Sequence, residues 1–128
     1  MRLLLDAHVL LWWLAGDEAV SMTAREAIAD EDNETFVSAA SAWEISIKYK
    51  QGRLPTATHF IADLGGAIAS RGFAALPITI NDGQRAGDLP LHHKDPFDRM
   101  LIAQALAASL TLVSNEQLFD RYGVSRLW

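Results

Sequence analysis

The chain has 128 residues, 50% of them hydrophobic and 21% charged, with a formal net charge of −5 and no cysteine. That length supports one domain with a real core and leaves no room for two, and the composition is far from that of disordered chains. The lack of cysteine excludes disulfides and thiolate metal sites and fits a reducing cytoplasm, while the negative charge argues at first against a nucleic-acid partner, since phosphate binders present basic surfaces.

Met1 to Leu5 has the look of a signal peptide, but Asp6 and His8 interrupt it, and the apolar run Val9 to Ala15 is too short to span a membrane. A cytoplasmic protein without membrane association is expected. In chain order, a strand over about 2–6 leads into a helix from Ala7 to Leu14, ended by Gly16. A second helix starts near Ser21, with Thr23-Ala24-Arg25-Glu26 matching a capping box. Residues 35–39 form a buried strand, and Ser41-Ala42-Trp43-Glu44 opens or continues a helix to Lys50, stopped by Gly52 and Pro55.

A further helix is expected over Ala57 to Ser70, weakened by Gly65-Gly66. Phe73 to Ile78 is a third strand, followed by a short helix near Asn81 to Gly87 and a loop through His93. The helix from Phe97 to Ser109 is apolar on most faces and packs deep. Leu110 to Ser114 is a fourth strand and Ser125 to Trp128 a short fifth. This alternation implies an α/β domain over 1–128, with three α/β/α layers around a mainly parallel sheet of roughly five strands.

In such sheets ligands bind where the strands end, and acids stand at those ends: Asp6 after the first strand, Glu44 after the second, Asp95 and Asp98 in His93-Lys94-Asp95-Pro96-Phe97-Asp98-Arg99, and Glu116 after the fourth. Each has a purely structural alternative. Asp6 serves equally as a helix cap. Glu44 closes a capping box with Ser41, or pairs with Lys48 one turn on. Asp95 before Pro96 is a helix start, Asp98 then falls in the first turn near the helix dipole, and Glu116 fits a solvated loop. Asp98 is therefore expected as a ligand, with Asp95 behind it.

Several carboxylates converging disfavour one another's ionisation unless a cation intervenes. Oxygen donors without cysteine select Mg²⁺ or Mn²⁺ over Zn²⁺. The chemistry that follows is metal-assisted phosphodiester hydrolysis, with no protein nucleophile. Basic residues Lys48, Lys50, Arg53, Lys94 and Arg99 lie close in sequence to these acids. Lys48 and Arg99 are candidates for phosphate contact or for neutralising the adjacent acid. His93 is a candidate acid or base, or a backbone hydrogen-bonding residue. Ser38 and Ser41 are expected as caps, and Ser114 as a hydrogen-bonding residue at the site. Trp12 and Trp13 make the first helix apolar on more than one face, which suggests a partner surface.

Leu4-Leu5-Asp6-Ala7-His8, Ser41-Ala42-Trp43-Glu44-Ile45 and His93 to Arg99 with the following Leu101-Ile102-Ala103-Gln104-Ala105 together resemble the PIN-domain ribonucleases of the VapC toxin type. The resemblance implies a PIN-like fold and a Mg²⁺- or Mn²⁺-dependent endoribonuclease acting on RNA. It also implies a homodimer held inactive by a VapB-like antitoxin whose tail covers the acidic site. Carried over residue by residue, Asp6, Glu44 and Asp98 match the family's acidic triad. Glu116 stands in Ser114-Asn115-Glu116 where the family has Asp in a Thr-x-Asp segment, so it is expected to assist catalysis rather than ligate directly. The alternatives are a covalent aspartyl phosphate on Asp6, disfavoured by the lack of an Asp-x-Asp pair, and a non-catalytic RNA- or protein-binding module on the same fold.

Overall fold

The computed structural model describes residues 1–128. Five strands, β1 (Arg2–Leu5), β2 (Glu34–Ser38), β3 (Ala74–Leu76), β4 (Thr111–Val113) and β5 (Arg126–Leu127), form one sheet in the order β3-β2-β1-β4-β5. All four pairings are parallel. The continuous leucines of β1 explain its central place. Leu3, Leu4 and Leu5 expose nothing, because the central strand of a parallel sheet covered on both sides is buried on both faces.

Side chains alternate across a strand, and the two faces of β1 feed two separate cores. Leu3 and Leu5 join the larger one with α1 (Ala7–Ala15), α2 (Met22–Ala29) and Ile45 of α3 (Ala39–Lys50). Leu4 joins the smaller one with Leu101, Ile102 and Ala105 of α6 (Pro96–Ala108) and with Phe119. Two remaining helices, α4 (Leu64–Ser70) and α5 (Ile80–Asp88), complete the set, α5 packing on α6. The expected α/β architecture is present, with its sheet entirely parallel.

Helix ends differ from expectation in four places. The cap of α2 is Ser21, whose hydroxyl accepts from Ala24 N at 3.1 Å, so the expected capping box at Thr23 does not form. The cap of α3 is Ser38, accepting from Ala40 N at 3.0 Å. Ser41 is therefore inside the helix rather than capping it, and its buried hydroxyl has no hydrogen-bond partner. A real capping box joins Thr79 and Asp82 at the start of α5. The single helix expected over Ala57 to Ser70 is instead two 3-10 turns, Pro55–His59 and Ile61–Asp63, and then α4.

Asp63 is the reason for that last break. Its backbone leaves the helical region (φ −145°, ψ 71°) and its carboxylate accepts from Gly66 N at 3.0 Å, so α4 begins anew. The third strand is also shorter than the expected 73–78, since it is a sheet edge and Pro77 has no N–H to donate.

Candidate functional site

The chain leaves β1 on one side to form β2 and β3 and returns on the other side as β4 and β5. The ends of β1 and β4 thus flank the point where strand order reverses, which is where an open α/β sheet opens a crevice. A cleft of about 310 Å³ lies there, lined by Asp6, Glu44, Lys48, Asp95, Asp98 and Glu116, together with His8, Trp12 and Asn115. All five acids singled out in the sequence are brought to it.

Asp6 is both a cap and a cleft residue. Its Oδ1 accepts from Val9 N at 2.8 Å, which fixes the side chain at the start of α1. Burial raises its pKa above the ordinary carboxylate value, opposed by hydrogen bonds from Ser114 and the Val9 N–H and by His8, while Glu44 adds a smaller upward push. Ser114, fully buried at the end of β4, is therefore a hydrogen-bonding residue of the site, and its hydroxyl also accepts from Glu116 N at 3.0 Å.

Glu44 faces the cleft from the second turn of α3 and is 4% exposed. Its Oε2 is engaged by Lys48, the one-turn pair anticipated from the spacing. Asp95 caps α6, its Oδ1 accepting from Asp98 N at 3.0 Å. Pro96 occupies the first helical turn, where its missing N–H costs nothing. Asp98 is thereby aimed into the cleft, and its Oδ2 lies 2.7 Å from His93 Nε2. Burial pushes the Asp98 carboxyl up to about 6, lowered by the His93 hydrogen bond and raised further by Asp95 and Glu44.

His93 itself is held from behind. Its N–H donates to the Tyr122 hydroxyl at 2.8 Å, and that hydroxyl donates to Pro90 O at 2.7 Å. Arg99 is the larger correction. It is 8% exposed and turned away from the cleft, donating to the carbonyls of Ala86, Gly87, Leu89, Pro90 and His93 at 2.8–3.3 Å. It pairs with no carboxylate and does not line the cleft. A planar guanidinium with five donors is the side chain suited to gathering several carbonyls, and here it ties the end of α5 and the following loop to α6.

Glu116 lies exposed at the cleft's rim, where its Oε1 accepts from Leu118 N at 3.0 Å and starts the 3-10 turn Gln117–Tyr122. His8 and Asn115, and Trp12, which the sequence marked only as a partner surface, also line the cleft. His8 was findable, being two residues beyond Asp6 in the first turn of the same helix.

The donor set suits a hard divalent ion, since the gathered ligands are carboxylates in a chain without cysteine. The acids are gathered but not closed: no three Asp, Glu or His side chains converge at chelating distance. One oxygen of each of three acids is already engaged: Lys48 takes Glu44 Oε2, His93 takes Asp98 Oδ2, and a helix N–H takes Asp6 Oδ1. Glu44 Oε1 and Asp98 Oδ1 carry none of these bonds, and together with Asp6 these carboxylates are the donors whose chemistry suits such an ion.

Residues 3–124 match the family model of the PIN domain. The chain is 31% identical over 115 residues to Ribonuclease VapC22 of Mycobacterium tuberculosis, covering 89% of this chain and 86% of that protein. Among solved structures, VapBC2 from Rickettsia felis, in complex with a promoter DNA fragment, superposes with a TM-score of 0.71 at 14% identity, over 98% of this chain and 97% of that one. VapC20 of Mycobacterium tuberculosis, described as a Sarcin-Ricin loop cleaving toxin, superposes with a TM-score of 0.61 at 14% identity over 95% of each chain. At that identity the structural likeness concerns the fold alone.

Proposed function

The chain belongs to the PIN domain family as a homologue of the VapC ribonucleases, and on that premise we propose that it is a divalent-cation-dependent endoribonuclease, the toxin of a toxin–antitoxin pair. The observation that carries this reading is the meeting of Asp6, Glu44 and Asp98 in one cleft from three separate parts of the chain. Burial and the Glu44 charge both disfavour ionised Asp6 and Asp98. Carboxylates are kept in so unfavourable a setting when a cation offsets them.

Asp6, Glu44 and Asp98 would hold Mg²⁺ or Mn²⁺. Such an ion supplies a water made nucleophilic and a counter-charge for the developing phosphate anion. The chain's own contribution is positional. His93, itself fixed by Tyr122 and Arg99 through the loop backbone, orients Asp98. The helix N–H and Ser114 orient Asp6. Glu116, free at one carboxylate oxygen on the rim, assists by orienting water.

The decisive experiment incubates the isolated protein with mixed structured RNA in Mg²⁺, Mn²⁺ or chelator, beside Asp98→Asn. Discrete fragments from the wild type, dependent on the ion and absent from the variant, are expected. Equal cleavage by Asp98→Asn would overturn the assignment. Bound Mn²⁺ without cleavage of any RNA would favour the binding module.

For partners, a VapB-like antitoxin is proposed, supported by the Rickettsia felis relative having been solved as VapBC2. A homodimer is proposed as well, and the exposed apolar side chains favour α3 and α5 as its surface over α1. Trp43 is 62% and Ile80 90% exposed, whereas Trp12 and Trp13 are half-buried against the larger core, near Trp128 and Phe73. A cytoplasmic location is proposed with the RNA substrate; no helix is long and apolar enough to cross a membrane.

A further inference from the structure

Among the residues that line the acidic cleft, Lys48 is the only lysine or arginine. Its side chain is 17% exposed and that of its partner Glu44 only 6%. A helical ion pair at this spacing is ordinarily a surface feature of little consequence. This one is withdrawn from water, where a carboxylate left without a partner is strongly disfavoured. It also sits among Asp6, Asp95, Asp98 and Glu116, with the ammonium on one Glu44 oxygen and the other oxygen unengaged.

Resting on the metal-site reading above, we propose that Lys48 is a positioning residue that acts as the site's built-in cation. In the ion-free protein it holds the Glu44 carboxylate in place, and it yields that carboxylate when a divalent ion binds. An ammonium and a metal ion competing for one carboxylate have opposed effects on its removal. Without Lys48 the cleft gains one negative charge, so an added ion binds more tightly. Without Lys48 the ion-free fold also keeps a buried acid unpaired, so it melts at a lower temperature. A side chain that served packing alone would produce the second effect and not the first.

The test titrates Mn²⁺ alone, by calorimetry at fixed pH and ionic strength, into wild type, Lys48→Met, Lys48→Gln and Lys48→Arg, with Asp98→Asn as the site-defective control. Lys48→Gln keeps a polar side chain at the position and stands in where the methionine variant does not fold. Lys48→Met and Lys48→Gln are expected to bind Mn²⁺ on the order of tenfold more tightly than wild type. Lys48→Arg, which keeps the charge, should stay near the wild-type value. Thermal unfolding should show the two neutral variants below wild type in chelator and level with it in saturating Mn²⁺. Equal or weaker Mn²⁺ binding by the neutral variants, or a melting deficit that persists in Mn²⁺, would overturn the role given to Lys48 while leaving the nuclease reading intact. Wild type that binds Mn²⁺ no better than Asp98→Asn would instead overturn the metal site, and this proposal with it.

Discussion

Asp98 shows how burying one carboxylate in the cleft costs stability. Its carboxyl is raised from 3.8 to about 6, chiefly by burial, so the folded protein holds a proton there that the unfolded chain has already released. Between those two values the folded state binds more protons, and stability falls as pH rises through about 6. With the side chain 24% exposed, the penalty above that pH is about 2–3 kcal/mol at most. Asp98→Asn is therefore expected to be more stable than wild type by about 1–3 kcal/mol at pH 7 in chelator, and equal to it near pH 3, about one unit below the unfolded value. Urea unfolding across that range checks this; parallel pH curves for the two proteins would refute it. Arg99, one position on, has the opposite character, since it touches nothing in the cleft and its five carbonyl bonds fix the loop that presents His93.

Among the elements, helix ends mattered more than helix interiors. Asp6, Asp95 and Glu116 each accept a backbone N–H at the start of a helix or turn and also line the cleft, so the same carboxylates cap the elements and shape the cleft. Far from the cleft, Asp63 and Gly66 form a dependent pair. A Cβ on Gly66 would stand 2.2 Å from Asp63 Oδ2, too close for the cap to survive. Gly66→Ala alone should lose about 1 kcal/mol or more of stability through the lost cap. In an Asp63→Ala background the same change should gain up to about 1 kcal/mol, the ordinary helical advantage of alanine over glycine. Denaturant midpoints of the four proteins give this coupling directly, and a Gly66→Ala effect of the same sign in both backgrounds would contradict it.

At the scale of the whole molecule, the net charge of −5 disguises a division of the surface. The cleft gathers five acids, and a neighbouring groove of about 310 Å³ is mostly apolar, formed around Trp43, Ile78, Phe97 and Met100. Trp43 and Phe97 meet edge to face at 5.1 Å between ring centres, directly beside Glu44 and Asp98 in sequence. Exposed aromatic surface of this kind is the usual centre of a protein interface. Trp43→Glu is expected to leave the far-ultraviolet circular dichroism unchanged and to convert the proposed homodimer to monomer at micromolar concentration. Sedimentation analysis decides it: a wild type that is already monomeric, or a variant that remains dimeric, would remove this face from the proposal.

The sequence alone determined what depends on local chemistry and on pattern. Continuous apolar strands alternating with helices required a parallel α/β sheet, Asp95-Pro96 required a helix start, and the acids after the strands had to share one edge because all strands of such a sheet point the same way. What depends on the direction a long side chain takes was decided only by tertiary structure. Arg99 and Lys48 are both cations one to four residues from a site acid, yet burial turned Arg99 toward a bundle of carbonyls and left Lys48 on Glu44 in the cleft. The same holds for the two serines expected as caps: Ser38 caps α3, whereas Ser41 lies inside the helix, which begins at Ala39, three residues earlier than a cap at Ser41 would place it. A cap is settled by where the backbone first turns helical, and here β2 runs to Ser38 and α3 starts at Ala39, so the last strand residue is also the cap.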